Sequence, residues 1–186
     1  MVGLTEFIPS FLAVSAVAYV ALAIRVARSG QSSNGLVSFF LALVAGMVAG
    51  AAFAYQADSA TLYGIGRTLS FFSAGFIPVV FFLIYREYTI GSPSALFVSV
   101  LVVIPVATTG LALTNSLHEM IWSAYETDAG LVVSDMASHT WYRTVYAPFT
   151  YGLFAYSALA LIGRLPTIAV AHRKMIGLLL CCTMLP

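Results

Sequence analysis

The stretch "LVSFFLALVAGMVAGAAFAY", Leu36 to Tyr55, holds twenty residues without a single charge. At 1.5 Å per residue such a helix is long enough to cross the ~30 Å hydrocarbon core of a bilayer. No water-facing helix keeps all its faces apolar, so this segment reads as a membrane span. The rest of the chain agrees. Of 186 residues 61% are hydrophobic and only 8% charged, against roughly 25% charged in soluble domains. Too few polar side chains are present to cover a surface in water, and the fold expected is an all-α, polytopic helix bundle in lipid.

Four further stretches are long and apolar enough to cross: Ile8–Ile24, Leu62–Tyr85, Ala95–Leu117 and Val145–Ile162. A sixth starts near Met175 with "MIGLLLCCTMLP", about 12 residues where a span needs about 20. The C-terminus is therefore expected to be cut within a helix. Residues 1–186 read as one transmembrane domain, incomplete at that end. The start, "MVGLTEFIPSF", has Glu6 where a cleavable signal peptide carries Lys or Arg, so none is expected. Cys181 and Cys182 are adjacent in an apolar run and read as small hydrophobes rather than a redox or metal pair.

Charge placement sets an expected orientation. Alternating the spans groups Arg25, Arg28, Arg86, Arg164, Arg173 and Lys174 on one side, with only Arg67 and Arg143 on or toward the other. The positive-inside bias makes the first side cytoplasmic and the N-terminus external. Asp58, Glu119, Glu126, Asp128 and Asp135 then lie outside. By parity the sixth helix heads outward, and a cytoplasmic output domain requires a seventh span. The inner connections, "RSGQSSNG" and "REYTIGSPS", are turn formers. Ser123 to Arg143 is the longest soluble stretch, and "GLVV" (Gly130 to Val133) is expected to start a short strand or hairpin. A net charge of +1 offers no basic patch for nucleic acid.

Small residues recur every four positions along the second span, at Ala42, Gly46, Gly50 and Ala54. Such a ladder lets another backbone approach closely, either within the chain or across a homodimer. Pro78 and Pro105 sit inside the third and fourth spans, where each removes a backbone donor and is expected to kink its helix, as hinge or as packing.

Polar residues gather after the fourth span. If its helix continues through "SLHEMIWSAY", then Asn115, His118 and Trp122 share one face at i, i+3, i+7, and Glu119 borders it. Thr114 is placed to bond a carbonyl one turn earlier. The order His118-Glu119 suggests a zinc protease, but that motif needs a second His four residues on, and Trp122 stands there. His139 and His172 fall on opposite sides of the membrane, so no metal site is expected. Two readings stand. Asn115 and His118 act as interhelical polar glue with Trp122 anchored at the headgroups, or they line an external pocket roofed by Ser123–Arg143, where His118 suits pH or ligand sensing. Arg67, a turn and a half into the third span, either snorkels or pairs with Glu119 or Asp58. Nearby Ser70, Ser73 and Gly75 among phenylalanines fit helix packing or a small apolar ligand.

"LSFFSAGFIPVVFFLIYREYT", Leu69 to Thr89, with its internal proline, resembles part of the seven-helix N-terminal region of prokaryotic sensor histidine kinases. Pro105 followed by "LTNSLHEMIW" is similar to that family's Thr-Asn, two residues, His, then an aromatic four residues on: Thr114, Asn115, His118 and Trp122. Trp141, Tyr142 and Tyr146 before the fifth span fit it loosely, and the run from Met175 resembles the start of its sixth helix. "SDMASHTWY" departs from the Gly-Pro-aromatic group often found there. The resemblance runs from about the second helix onward. It implies a multi-pass sensory input domain in the plasma membrane. A small-molecule or physical stimulus would be relayed by helix rearrangement to a cytoplasmic kinase, or to another output such as a cyclic-nucleotide-synthesising enzyme, in the same chain. Ligand or polar-network residues are then expected at Thr114, Asn115, His118, Glu119, Trp122 and Arg67. No catalytic residue and no cofactor is implied in these residues. A transporter or channel wants ionisable groups near the midplane, and the sequence puts its charges at the helix ends. A retinal photoreceptor wants a buried lysine, and the only one, Lys174, sits at the inner boundary.

Overall fold

The computed structural model describes residues 3–28, 34–91, 93–127, 130–133, 139–164 and 166. The expected sixth helix lies outside them, and with it His172, Arg173, Lys174, Cys181 and Cys182. Five long helices form: α1 (Gly3–Ala27), α2 (Asn34–Tyr55), α3 (Ala60–Thr89), α4 (Ala95–Leu113) and α5 (Ala147–Arg164). All five contain a stretch long and apolar enough to cross a membrane, the last of them starting in the turn that precedes α5. A two-stranded antiparallel hairpin, β1 (Ala124–Thr127) and β2 (Gly130–Val133), sits between α4 and α5.

Short polar side chains mark the helix ends. The Ser59 hydroxyl accepts the Leu62 N–H at 3.3 Å to open α3, and Ser94 accepts the Phe97 N–H at 3.3 Å to open α4. Helix α3 closes where the Ile90 and Gly91 N–H groups both reach the Arg86 carbonyl, at 2.8 and 2.9 Å. Gly91 holds φ at +109°, a backbone turn that glycine tolerates best. Within the spans, hydroxyls satisfy themselves on the preceding turn: Thr109 donates to the Pro105 carbonyl and Ser157 to the Leu153 carbonyl.

Helix α3 is the hub of the bundle. It packs on α2, α4, α5 and β1, whereas α1 packs chiefly on α2. Two hydrophobic clusters result. One, around Phe40, Phe81, Ile84 and Leu161, lies toward the end that carries Arg25, Arg86 and Arg164. The other joins Tyr63, Phe71, Ala112, Ile121, Trp122 and Tyr146 at the opposite end.

The α2–α3 seam is a backbone-to-backbone approach. A Cβ on Gly50 would stand 2.7 Å from both the Gly66 carbonyl oxygen and the Ser70 nitrogen. One on Gly66 would stand 2.5 Å from the Ala54 nitrogen. The Ser70 hydroxyl donates across the seam to the Met47 carbonyl at 3.2 Å. The small-residue ladder thus meets α3 of the same chain through Gly46, Gly50 and Ala54, while Ala42 is exposed. Gly75 faces α4 at ordinary contact distance: a Cβ there would lie 3.5 Å from the Cα of Pro105, and both Pro78 and Pro105 are buried.

Candidate functional site

Helix α4 does not run on through the polar run as its apolar pattern suggests. It stops at Leu113, passes through a 3-10 turn at Asn115–Leu117 and reverses. The physical cause is Asn115. Its side chain is 4% exposed and bonds to the backbone ahead of it, the Nδ2 donating to the Trp122 carbonyl at 2.7 Å and the Oδ1 accepting the Ile121 N–H at 3.1 Å. An asparagine side chain that satisfies backbone groups in this way competes with helix continuation and wins at a terminus. Asn115 and Trp122 therefore meet through a loop clasp, not along one helical face.

His118 braces the turn from its outer side. Its Nδ1 accepts the Met120 N–H at 3.0 Å, so the ring proton belongs on Nε2, which lies 3.1 Å from the Thr114 hydroxyl. That hydroxyl in turn donates to the Gly110 carbonyl at 3.0 Å, the back-bond expected of Thr114. Glu119 follows with φ +49°, among the described residues the one non-glycine at positive φ. Its carboxylate accepts from the Ser123 hydroxyl at 2.7 Å, and its carbonyl accepts from His139 Nδ1 at 2.7 Å. Glu119→Gly is expected to raise thermal stability by about 1 kcal/mol by relieving the left-handed backbone; differential scanning fluorimetry in detergent measures it.

Behind the turn stands an aromatic stack. Trp122 is buried and lies on Phe71 with centroids 5.5 Å apart and planes 16° from parallel. Phe71 also meets Tyr146 edge-on at 5.1 Å, and Tyr142 at 6.2 Å. The Trp141 indole N–H donates to the Thr108 hydroxyl at 3.1 Å, tying the start of the fifth span to α4. The five residues Tyr142–Tyr146 form a π-helical turn, with the Ala147 N–H reaching the Tyr142 carbonyl. Trp122, one candidate headgroup anchor, is instead a core residue that joins α3 to the loop.

A half-open cleft of about 310 Å³ lies between the first two turns of α3 and the end of α4. Thr61, Gly64, Ile65 and Thr68 wall it from α3, and Asn115, Ser116, Glu119 and Trp122 from the turn. Of the six residues expected at a site, Asn115, Glu119 and Trp122 line this cleft. Thr114 and His118 do not, because the reversal turns them to the other side. Nor does Arg67, whose Nε donates to the Tyr63 hydroxyl at 2.7 Å, with its guanidinium carbon 5.1 Å from that ring's centroid. Among the described residues it pairs with neither Glu119 nor Asp58, since a phenol one turn back on its own helix is closer at hand. Sequence reasoning missed Thr108, Phe71 and the α3 wall. One signal was present: Pro105, Thr108, Ala112 and Asn115 repeat at i, i+3, i+7, i+10, which is the buried stripe of α4. Among the described residues no group of three His, Cys, Asp or Glu is placed to hold a metal ion.

Residues 11–186 match the family model of the N-terminal 7TM region of histidine kinase. The chain belongs to this family. No curated protein and no solved structure matches it. As a histidine-kinase 7TM region it is a multi-pass membrane protein and a sensory input domain, a part of such kinases that is not itself catalytic. The Thr114–Trp122 run that carries the family resemblance is, in this 7TM region, the run that ends α4 and builds one wall of the cleft.

Proposed function

We propose that the chain receives an extracytoplasmic or membrane-borne stimulus at the cleft beside Asn115 and passes it to a kinase by rearranging α3, α4 and α5. The charge bias supports this orientation, with the arginine-bearing ends of α1, α3 and α5 at the cytoplasmic face. The observation that carries the reading is a shared wall. Asn115 and Trp122 line the cleft and are also the residues that lock the end of α4, and Trp122 leans on Phe71, which touches Tyr142 and Tyr146 at the head of α5. A ligand that shifts Trp122 acts on three helices at once. It changes output only to the extent that it binds one packing better than the other.

Gly64 provides the test. A Cβ there meets nothing within 4 Å, and the residue lines the cleft. Gly64→Phe fills the space with no backbone clash. Gly152→Phe is the control, because Gly152 is equally open and lies on the exposed face of α5. In the kinase of which this region is the input, reconstituted in nanodiscs, autophosphorylation is followed across titrations of pH, amines and organic acids. Gly64→Phe is expected to flatten every response to one level, while Gly152→Phe keeps the full range. A full range in Gly64→Phe overturns the cleft as the sensory site.

A further inference from the structure

We infer that the cleft selects an organic ammonium group, carried either by a small free amine or by a lipid headgroup. The inference rests on the sensory reading of the same cleft. Charge decides the ligand class. Among the described residues Glu119 is the only charged side chain that lines the cleft, and no described lysine, arginine or histidine lines it. The two basic residues nearest in sequence to the lining residues are turned elsewhere: Arg67 bonds Tyr63, and His118 spends both ring nitrogens on Thr114 and Met120. An anionic ligand would meet an uncompensated carboxylate; an ammonium would neutralise it.

The carboxylate is available for that purpose. One oxygen, Oε2, accepts from Ser123, and among the described residues no group donates to Oε1. The backbone beneath it is held by the His139 bond to the Glu119 carbonyl, and the residue lines the cleft. Trp122 also lines the cleft and, with one ring face covered by Phe71 and the residue 4% exposed, adds contact surface there. Ile65 and Leu113 offer apolar surface for the ligand's body. At about 310 Å³ the cleft is at the small end of ligand pockets, which run from about 300 to 1,000 Å³. That excludes a whole lipid but admits its headgroup, or an arylalkylamine.

The probe is phenethylammonium, with 3-phenylpropionate as the anionic counterpart of similar shape, titrated against the protein in phosphatidylglycerol nanodiscs. Both tryptophans, Trp122 and Trp141, lie at this end, so intrinsic fluorescence reads the site. The ammonium probe is expected to give a saturable change and the carboxylate probe none. Glu119→Gln, which keeps the size and the Ser123 partner, is expected to weaken binding about tenfold or more, as loss of a charge-assisted bond does. Gly64→Phe is expected to abolish binding and Gly152→Phe to leave it unchanged. Adding phosphatidylethanolamine separates the two sources: competition with the probe marks a headgroup ligand, and an unchanged titration marks a free amine. Equal response to both probes, or wild-type affinity in Glu119→Gln, overturns the ammonium site. A flat amine titration together with a Gly64→Phe kinase that has lost its range overturns this inference alone. Glu119-dependent amine binding with an intact range in Gly64→Phe overturns the sensory reading and leaves the ammonium site standing.

Discussion

Asn115→Ala is expected to lower stability by about 3 to 5 kcal/mol. Two buried hydrogen bonds go at once, and both groups they served belong to buried residues. The Trp122 carbonyl and the Ile121 N–H are left behind beside residues that are themselves 4% and 0% exposed. An unsatisfied buried backbone group costs about 1–3 kcal/mol, so the sum exceeds anything lost by shortening an exposed neighbour. Asn115→Asp separates the two bonds. It keeps an acceptor for Ile121 but places a carboxylate oxygen against the Trp122 carbonyl, and it is expected to be no better than alanine. Thr114→Val, at an exposed position, is expected to cost under about 1 kcal/mol. Reversible denaturation in mixed micelles, followed by circular dichroism, gives all three values. If Asn115→Ala matches Thr114→Val, the clasp is not what ends α4.

Gly50→Ala and Gly66→Ala are each expected to destabilise by about 2–3 kcal/mol through overpacking, after a gain of about 1 kcal/mol from helix propensity is set against the strain. Their sign is decided by what the added methyl meets. Gly50 faces the Gly66 carbonyl and the Ser70 nitrogen, and Gly66 faces the nitrogen and Cα of Ala54. These are backbone atoms, which no rotamer change can clear, so the helices must separate and stretch the Ser70–Met47 bond. The double variant is expected to cost less than the sum, because both methyl groups open one seam. Gly64→Ala, in open space on the same helix, is expected to gain about 1 kcal/mol. The same denaturation series measures all four. A dimer through the Gly46–Gly50 stripe would have to displace α3, so any self-association uses another surface.

Much of this is legible in the sequence, for reasons that are local. Twenty uncharged residues at Leu36–Tyr55 leave a chain no alternative to a span, and each of the four other expected spans overlaps an observed helix. The end of α4 was not readable in the same way. Apolar periodicity carries a helix through Leu117 and says nothing of an asparagine whose side chain captures a carbonyl seven residues ahead. That error moved His118 onto the wrong face and hid the stripe Pro105, Thr108, Ala112, Asn115. Of the two readings of Arg67, snorkelling and an acidic partner, the second is not what the described residues show. Counting charges suggests an acidic partner, but a phenol four residues back on the same helix is within reach, and its helical spacing is a better guide than its charge. The α3 wall of the cleft is built from Gly64 and two threonines, residue types too ordinary in membrane helices to stand out.

The π-helical turn at Tyr142–Tyr146 has a bearing on how such a chain tolerates genetic change. A π turn houses one residue more than an α turn over a similar rise. That surplus residue sits at the junction between the hairpin segment and the fifth span. Deleting it converts the turn to regular helix and re-phases only what precedes it by one residue, about a third of a rotation, leaving Ala147 onward in register with α3. A one-residue deletion within this turn is therefore expected to leave α5 aligned with α3, where the same deletion inside α5 would rotate its face away.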